Sequence, residues 1–272
     1  MEFWQNIYSN FDPVAFNLGS IAVHWYGIMY ALALLSAIFV AKWIIKHDKI
    51  PISSELFDSY IWWAEIGVIL GARIGYIVFY DTNAMYYLTH PWQIFNPFVN
   101  GEYTGISGMS YHGAFIGFLI ASILFCRKNK VSFWFLADIS VLGISAGYVF
   151  GRIGNFFNQE LIGRETDVPW GIIVNDKLRH PSQLYEAFLE GILIFIILYV
   201  VRKRKYFDGQ LAILYGILYS IARITAEFFR EPDIQLGFLY GGWLTMGMLI
   251  SGVFAILSIV MLFLIRKNKK TI

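Results

Sequence analysis

A single cysteine, Cys126, leaves this chain without the means to form an internal disulfide or a multi-cysteine zinc site. Charge is equally scarce. Asp, Glu, Lys and Arg make up 15% of the residues, against about a quarter in an ordinary soluble domain. The formal net charge is only +2 over 272 residues, so no excess of one sign points to a nucleic acid or another polyanion. The first nineteen residues hold no basic n-region, and the apolar run after them is long enough to span a bilayer. No cleavable signal peptide is therefore expected, and the first helix should act as its own insertion signal.

What remains is apolar. Hydrophobic residues reach 57%, and the mean hydropathy is +0.56. Aromatics reach 18%, nine of them Trp, which suits helix ends seated in a bilayer interface. A helix needs roughly 20 apolar residues to cross the hydrocarbon. Seven runs qualify: Ser20–Ala41, Phe57–Tyr80, Met109–Phe125, Ser132–Phe150, Ser182–Val201, Gln210–Phe229 and Gly241–Ile265. The third is short and the fourth glycine-rich. The chain is thus expected to be a single all-α membrane domain over 1–272, a bundle of about seven transmembrane helices. Small residues at four-residue spacing, Gly67, Gly71 and Gly75 and then Gly143, Gly147 and Gly151, predict close helix packing.

Orientation follows from the basic residues. Fourteen of the twenty-one Lys and Arg fall after the first, third, fifth and seventh runs: Lys42, Lys46 and Lys49; Arg127, Lys128 and Lys130; Arg202 to Lys205; and Arg266, Lys267, Lys269 and Lys270. Positive residues mark the cytoplasmic side. The N-terminus is expected outside and the C-terminus inside, with outward-facing connections at about 82–108 and 151–181.

Other basic residues enter the spans. Arg73, Arg152 and Arg223 lie on or at the outward ends of runs two, four and six, with Arg230 just beyond. At about 1.5 Å per residue, Arg73 and Arg223 sit roughly 10 Å below the outer boundary. His24 and Tyr26 open the first run, and His112 opens the third. Singly, each has an ordinary reading: Arg152 and Arg230 can snorkel to the interface, Glu227 can satisfy Arg223 from four residues on, and His24 beside Trp25 can be interfacial. Together they place donors from five helices at one depth; an arginine in hydrocarbon is costly unless paired or hydrated, and such convergence points to a cavity for an anion. Arginines hold phosphate through charge-assisted bidentate bonds, and a histidine can move a proton near neutral pH. The residues thus point to an outer-leaflet enzyme acting on a phospholipid. They leave the acceptor open.

Six ordered blocks go further. The run Gly151-Arg152-Ile153-Gly154-Asn155-Phe156-Phe157-Asn158-Gln159-Glu160-Leu161-Ile162-Gly163-Arg164 resembles the signature of the prolipoprotein diacylglyceryl transferases. So do His24-Trp25-Tyr26-Gly27, Gly71-Ala72-Arg73-Ile74-Gly75-Tyr76, Gly108-Met109-Ser110-Tyr111-His112-Gly113, Arg179-His180-Pro181-Ser182-Gln183-Leu184-Tyr185-Glu186 and the stretch from Arg223 through Glu227 and Arg230 to Asp233. One departure is Ala114, where the family commonly has a second glycine after the histidine, and the 151–181 connection is shorter than in some members.

The resemblance implies transfer of the diacylglyceryl group of phosphatidylglycerol to the lipobox cysteine thiol of a prolipoprotein, in the first step of bacterial lipoprotein maturation. A thioether forms and glycerol phosphate leaves. It also implies a multi-pass enzyme of the bacterial plasma (inner) membrane, with its active site toward the outer leaflet. The thiol must become a thiolate, and fixed positive groups must stabilise the leaving phosphate. On that resemblance Arg152 and Arg223 contact phosphate, with Arg73 and Arg230 in support. His112 is the candidate base or proton shuttle, Tyr26 and Asn155 are hydrogen-bonding partners, and His24 lies on the substrate-binding side. Glu160, Gly163 and Glu227 support the loop and the arginines. Cys126, at the opposite end of the third run, is expected to pack as a small apolar residue. No motif implies a metal or organic cofactor. A transporter would continue its polar residues to the cytoplasmic side and often carry a repeat, a metal-dependent phosphatidyl transferase would show an Asp-rich motif, and a seven-helix receptor rests on span count alone.

Overall fold

A computed structural model of the chain describes residues 2–19, 21–82, 84–99, 102–103, 108–232 and 237–269. Ser20 of the first predicted run, Asp233 of the last motif and Lys270 of the terminal basic run lie outside the described residues, as does part of the 82–108 connection.

Among the described residues the chain is mostly helical, with short two-stranded antiparallel sheets between helices. The long helices are α1 (Trp25–His47), α2 (Ser54–Phe79), α3 (Tyr111–Asn129), α4 (Phe133–Phe157), α5 (Ser182–Arg204), α6 (Gln210–Glu227) and α7 (Met246–Lys269). Among the described residues, five stretches are long and apolar enough to cross a membrane: α1, α2, α4, α5 and Met246–Ile265 of α7. The other two, α3 and α6, have 19 and 18 residues.

Helix ends shift from the sequence reading by up to several residues, and three of the differences have a local reason. Ile21–His24 is a strand, β2, paired with β1 (Val14–Leu18), and α1 begins only at Trp25. Gly19 at φ +62° makes the turn between them, and the β-branched Ile21 and Val23 suit the ladder. Helix α4 runs seven residues past the predicted end at Phe150 to Phe157, because no proline interrupts it. Arg152 therefore sits within a helix and not in a connection. Helix α5 contains a π-helical segment, Ala187–Leu193, which regular hydrophobic periodicity does not announce.

The chain forms two compact units, Ile50–Phe133 and the remainder, Met1–Lys49 with Trp134–Ile272. In the smaller unit, α2 and α3 meet backbone to backbone. A Cβ on Gly71 would lie 2.3 Å from the Gly113 carbonyl oxygen, and one on Gly117 would lie 2.0 Å from that of Gly67. Only glycine permits this spacing, so the predicted small-residue stripe has a physical partner. Ser53 and Ser110 cap the two helices through the amides of Leu56 and Gly113. Phe57, Tyr60, Phe125 and Cys126 are buried, and the Tyr60 and Phe125 rings meet across the two helices at 5.4 Å.

In the larger unit, α1 and α4 approach in the same way. Gly143 and Gly147 face the carbonyl oxygens of Ala37 and Ala33, and a Cβ on Gly154 would lie 3.4 Å from the Tyr26 ring. After α4, Gln159 and Leu161 take positive φ, 56° and 57°. The tight loop is held by Gln159 Nε2 donating to the carbonyls of Tyr8 and Phe11, by Ser182 Oγ on the Leu161 carbonyl, and by Gln183 on the Glu160 carbonyl. Strands β3 (Ile172–Val174) and β4 (Lys177–Arg179) form a hairpin whose Asn175-Asp176 turn has both φ values positive, as a type I′ turn requires. Tyr8, Phe156 and Ile172 form a buried cluster with Trp4, Ile7 and Phe157. At the other end of α4, Asp138 accepts from the amides of Gly209 and Ala212 and so caps α6.

Candidate active site

Three arginines converge in the larger unit. Arg152 comes from α4, Arg223 from α6 and Arg230 from just after α6, and their side chains are 16%, 12% and 11% exposed. Their common partner is Glu186 of α5, which is fully buried. Its carboxylate lies 3.0 Å from Arg152 Nε, 3.1 Å from Arg223 Nη1 and 3.7 Å from Arg230 Nη1. Glu190, also fully buried, lies 3.8 Å from Arg152 Nη2 and 3.6 Å from Arg223 Nη1. The π turn brings these two carboxylates, four residues apart, to bear on one place. A π turn holds more than four residues, so positions i and i+4 come close to one line. Gly191 makes room for the segment: a Cβ there would lie 2.6 Å from Val149 Cγ2 of α4.

A third carboxylate completes the charge balance. Glu227 accepts from Arg223 Nη2 one turn earlier on α6, and its other oxygen accepts from Thr245 Oγ1 at 2.6 Å. Thr245 in turn accepts from the Met248 amide at 3.1 Å and so caps α7. The positive end of that helix backs onto Glu227, and a Cβ on Gly247 would lie 2.5 Å from Glu227 Oε1. With all groups ionised, the three guanidinium charges of Arg152, Arg223 and Arg230 match those of Glu186, Glu190 and Glu227. A balanced buried cluster is tolerable where a lone charge is not.

The loop beyond α4 is stitched to the end of α6. Arg164 donates from Nη2 to the Glu227 carbonyl and from Nε to the Arg230 carbonyl, both at 2.9 Å. Gly163 bridges Arg230, and a Cβ at Gly163 would lie 2.2 Å from the His180 carbonyl oxygen. Outside the helices, Arg179 reaches the Gly163 carbonyl at 3.0 Å. Burial holds the neighbouring His180 imidazole below its usual pKa, and so neutral at pH 7.

Such a cluster can bind an oxyanion. Each guanidinium carries five N–H donors in a planar fork, and several donors here already hold a fixed direction. A sequence profile of the family described as prolipoprotein diacylglyceryl transferase matches residues 13–264. The chain belongs to that family. The phosphatidylglycerol–prolipoprotein diacylglyceryl transferase of Aliarcobacter butzleri (strain RM4018) is 77% identical over 95% of each chain. Proteins of the same name from Campylobacter lari (strain RM2100) and Campylobacter jejuni (strain 81-176) are 57% and 56% identical over the full length of both chains.

Of the residues expected from sequence, Arg152, Asn155, Glu160, Arg223, Glu227 and Arg230 are brought together in this transferase-family chain. Arg152 Nη1 donates to Asn155 Oδ1 at 3.2 Å, and Asn155 Nδ2 donates to Glu160 Oε1 at 2.6 Å. Tyr26 is on the first turn of α1, partly exposed and against Gly154; His24 ends β2 and is exposed. Arg73 and His112 belong to the smaller unit. Arg73 is buried and donates to the carbonyls of Ile94 and Gly108, so these contacts tie α2 to the connection beyond it. His112, second residue of α3, is exposed and edge-on to the Tyr111 ring. Sequence reasoning missed Glu186, Glu190, Tyr148 and Thr245. The available signal was acidic residues inside an apolar run, Glu186 and Glu190, which cost several kcal/mol unless matched to cations.

Proposed function

We infer that this chain transfers the diacylglyceryl group of phosphatidylglycerol to the lipobox cysteine of prolipoproteins. The thiolate sulfur attacks the phosphate-bearing carbon of the diacylated glycerol. A C–S bond forms, the C–O bond breaks, and glycerol phosphate leaves with the bonding electron pair. Negative charge on the leaving phosphate grows along this path, and preorganised cations are the means of stabilising it. The observation that carries the reading is the buried Arg152–Arg223–Arg230 cluster on apolar helices. Membership of the family across nearly the whole chain supports it.

Arg152 and Arg223 are the phosphate contacts, with Arg230 beside them and Arg73 in support. His112 takes or relays the thiol proton. Tyr26 and Asn155 hydrogen-bond to substrate, and His24 lies on the substrate-binding side. Glu160, Gly163 and Glu227 hold the loop and arginines in place. The enzyme is a single membrane domain of about seven spans in the bacterial plasma membrane. Its N-terminus and the 82–108 and 151–181 connections face outward, its C-terminus is cytoplasmic, and its active site faces the outer leaflet. This orientation draws on the charge bias of the loops.

The test is a transfer assay with purified protein in detergent, phosphatidylglycerol and a lipobox peptide, followed by peptide mass. Wild type should add one diacylglyceryl group. Arg152→Ala and Arg223→Ala should each lose roughly 100- to 1,000-fold in rate. Full activity in folded His112→Ala removes the proposed base, and a folded wild type that modifies no peptide removes the function.

A further inference from the structure

We propose that Tyr148, held by Glu190, is a positioning residue that sets the direction of the Arg152 guanidinium during transfer. The proposal rests on the reading of Arg152 as a phosphate contact. Tyr148, Arg152 and Asn155 are spaced at i, i+4 and i+7 on α4 and share one face. Arg152 Nε donates to Tyr148 Oη at 2.7 Å, and Nη2 donates to the same oxygen. A phenol oxygen has two lone pairs and one proton. With both lone pairs engaged by Arg152, the proton is left to donate, and Glu190 Oε2 accepts it.

Glu190 cannot turn away to water, because it is fully buried and faces Arg223 Nη1 at 3.6 Å on its other oxygen. At the opposite edge, Arg152 Nη1 is held by Asn155, itself held by Glu160. The guanidinium is thus gripped from both sides by a chain running Glu160, Asn155, Arg152, Tyr148, Glu190. Losing the Tyr148 hydroxyl releases Nη2 and leaves Asn155 on Nη1 and the Glu186 carboxylate, 3.0 Å from Nε, as the remaining holds, so the fork can tilt about them. A planar fork that pivots loses the alignment on which bidentate anion contact depends.

Tyr148→Phe is the discriminating change. It keeps the ring, its 4.7 Å contact to the Arg152 guanidinium carbon and its edge contact to Tyr219, and deletes only the hydroxyl. In the transfer assay kcat should fall roughly 10- to 100-fold, the range for a lost hydrogen bond to a charged group. KM for phosphatidylglycerol should stay within about threefold, since alignment matters most as charge develops. In an Arg152→Lys background the same deletion should have no further effect, because the ammonium has no fork to align.

Losses that multiply in the double variant overturn the proposal, as does full kcat in Tyr148→Phe. Should Tyr148→Phe fail to fold, Glu190→Gln enters the same cycle. Its loss must fall on kcat and shrink beside Arg152→Lys, the remainder being carried by Arg223 Nη1, 3.6 Å from Glu190, and fully independent losses again overturn the proposal. A folded wild type without any diacylglyceryl transfer removes the underlying function, whereas an active wild type with independent losses removes only the positioning role.

Discussion

Replacing Glu186 with Gln should destabilise the protein sharply and turn its arginine cluster into an anion sink. The side chain is fully buried, and its carboxylate stands 3.0, 3.1 and 3.7 Å from Arg152, Arg223 and Arg230. Glutamine has nearly the same shape, so the change leaves no cavity and acts through charge alone. Three guanidinium groups then face two carboxylates, Glu190 and Glu227, and one positive charge is uncompensated. Removing one partner of a buried ion pair costs about 3–5 kcal/mol. At about 2–4 °C per kcal/mol for chains of this size class, the melting temperature should drop by roughly 6–20 °C. Thermal melts of both proteins in one detergent, followed by circular dichroism, measure this. Inorganic phosphate should then restore part of the loss in Glu186→Gln and do much less for wild type, because a ligand of the folded state stabilises it in proportion to RT ln(1 + [L]/Kd). Sodium chloride at matched ionic strength controls for screening. A variant that melts within about 2 °C of wild type, under ~1 kcal/mol, would refute the reasoning. Equal phosphate responses in the two proteins would refute the anion argument.

Gly117→Ala should loosen the α2–α3 pair, because its Cβ would sit 2.0 Å from the Gly67 carbonyl oxygen, where no rotamer change can relieve it. Overpacking of this kind costs about 1–3 kcal/mol or more, and limited proteolysis within 50–133 should accelerate. Asp138→Ala removes the acceptor for the Gly209 and Ala212 amides and the partner of Lys205 at 3.2 Å. Loss of the cap should cost about 1–2 kcal/mol by thermal melt and leave the transfer rate per folded enzyme unchanged. Asp48, just past α1, feels burial pushing its carboxyl up, but hydrogen bonds and charge from Arg202 and Lys203 hold it below its ordinary value of 3.8. A depressed folded-state pKa stabilises above the ordinary value and is lost as pH falls through the folded one. The melting-temperature gap between wild type and Asp48→Asn should thus be full near pH 7 and shrink below about pH 4; a gap constant down to pH 3 would contradict the pairing.

The parts of this protein that sequence alone determines are those governed by solvent. Apolar runs such as Trp25–His47 and Met246–Ile265 must be helical in hydrocarbon, since every backbone amide needs a partner within its own segment. Arg152 and Arg223 were identifiable for the same reason, as cations in apolar runs demand an explanation. The glycine stripe of α2 likewise announced a close partner. Which helix that was, with Gly113 and Gly117 on the facing side, is a matter of tertiary contact. Other features had no local cause to read. Apart from Gly191, the stretch Ala187–Leu193 has ordinary helix-forming residues, and its π turn belongs to the packed structure around Gly191 and Glu186. Glu186 stood within a quoted motif and still had no role, because its partners lie on α4 and on and just after α6, at sequence separations of more than thirty residues. Tyr148 read as one aromatic among many until its hydroxyl was seen between Arg152 and Glu190. Solvent sets where the helices are, and the pairing of buried charges, which depends on distance in space, sets what their polar residues do.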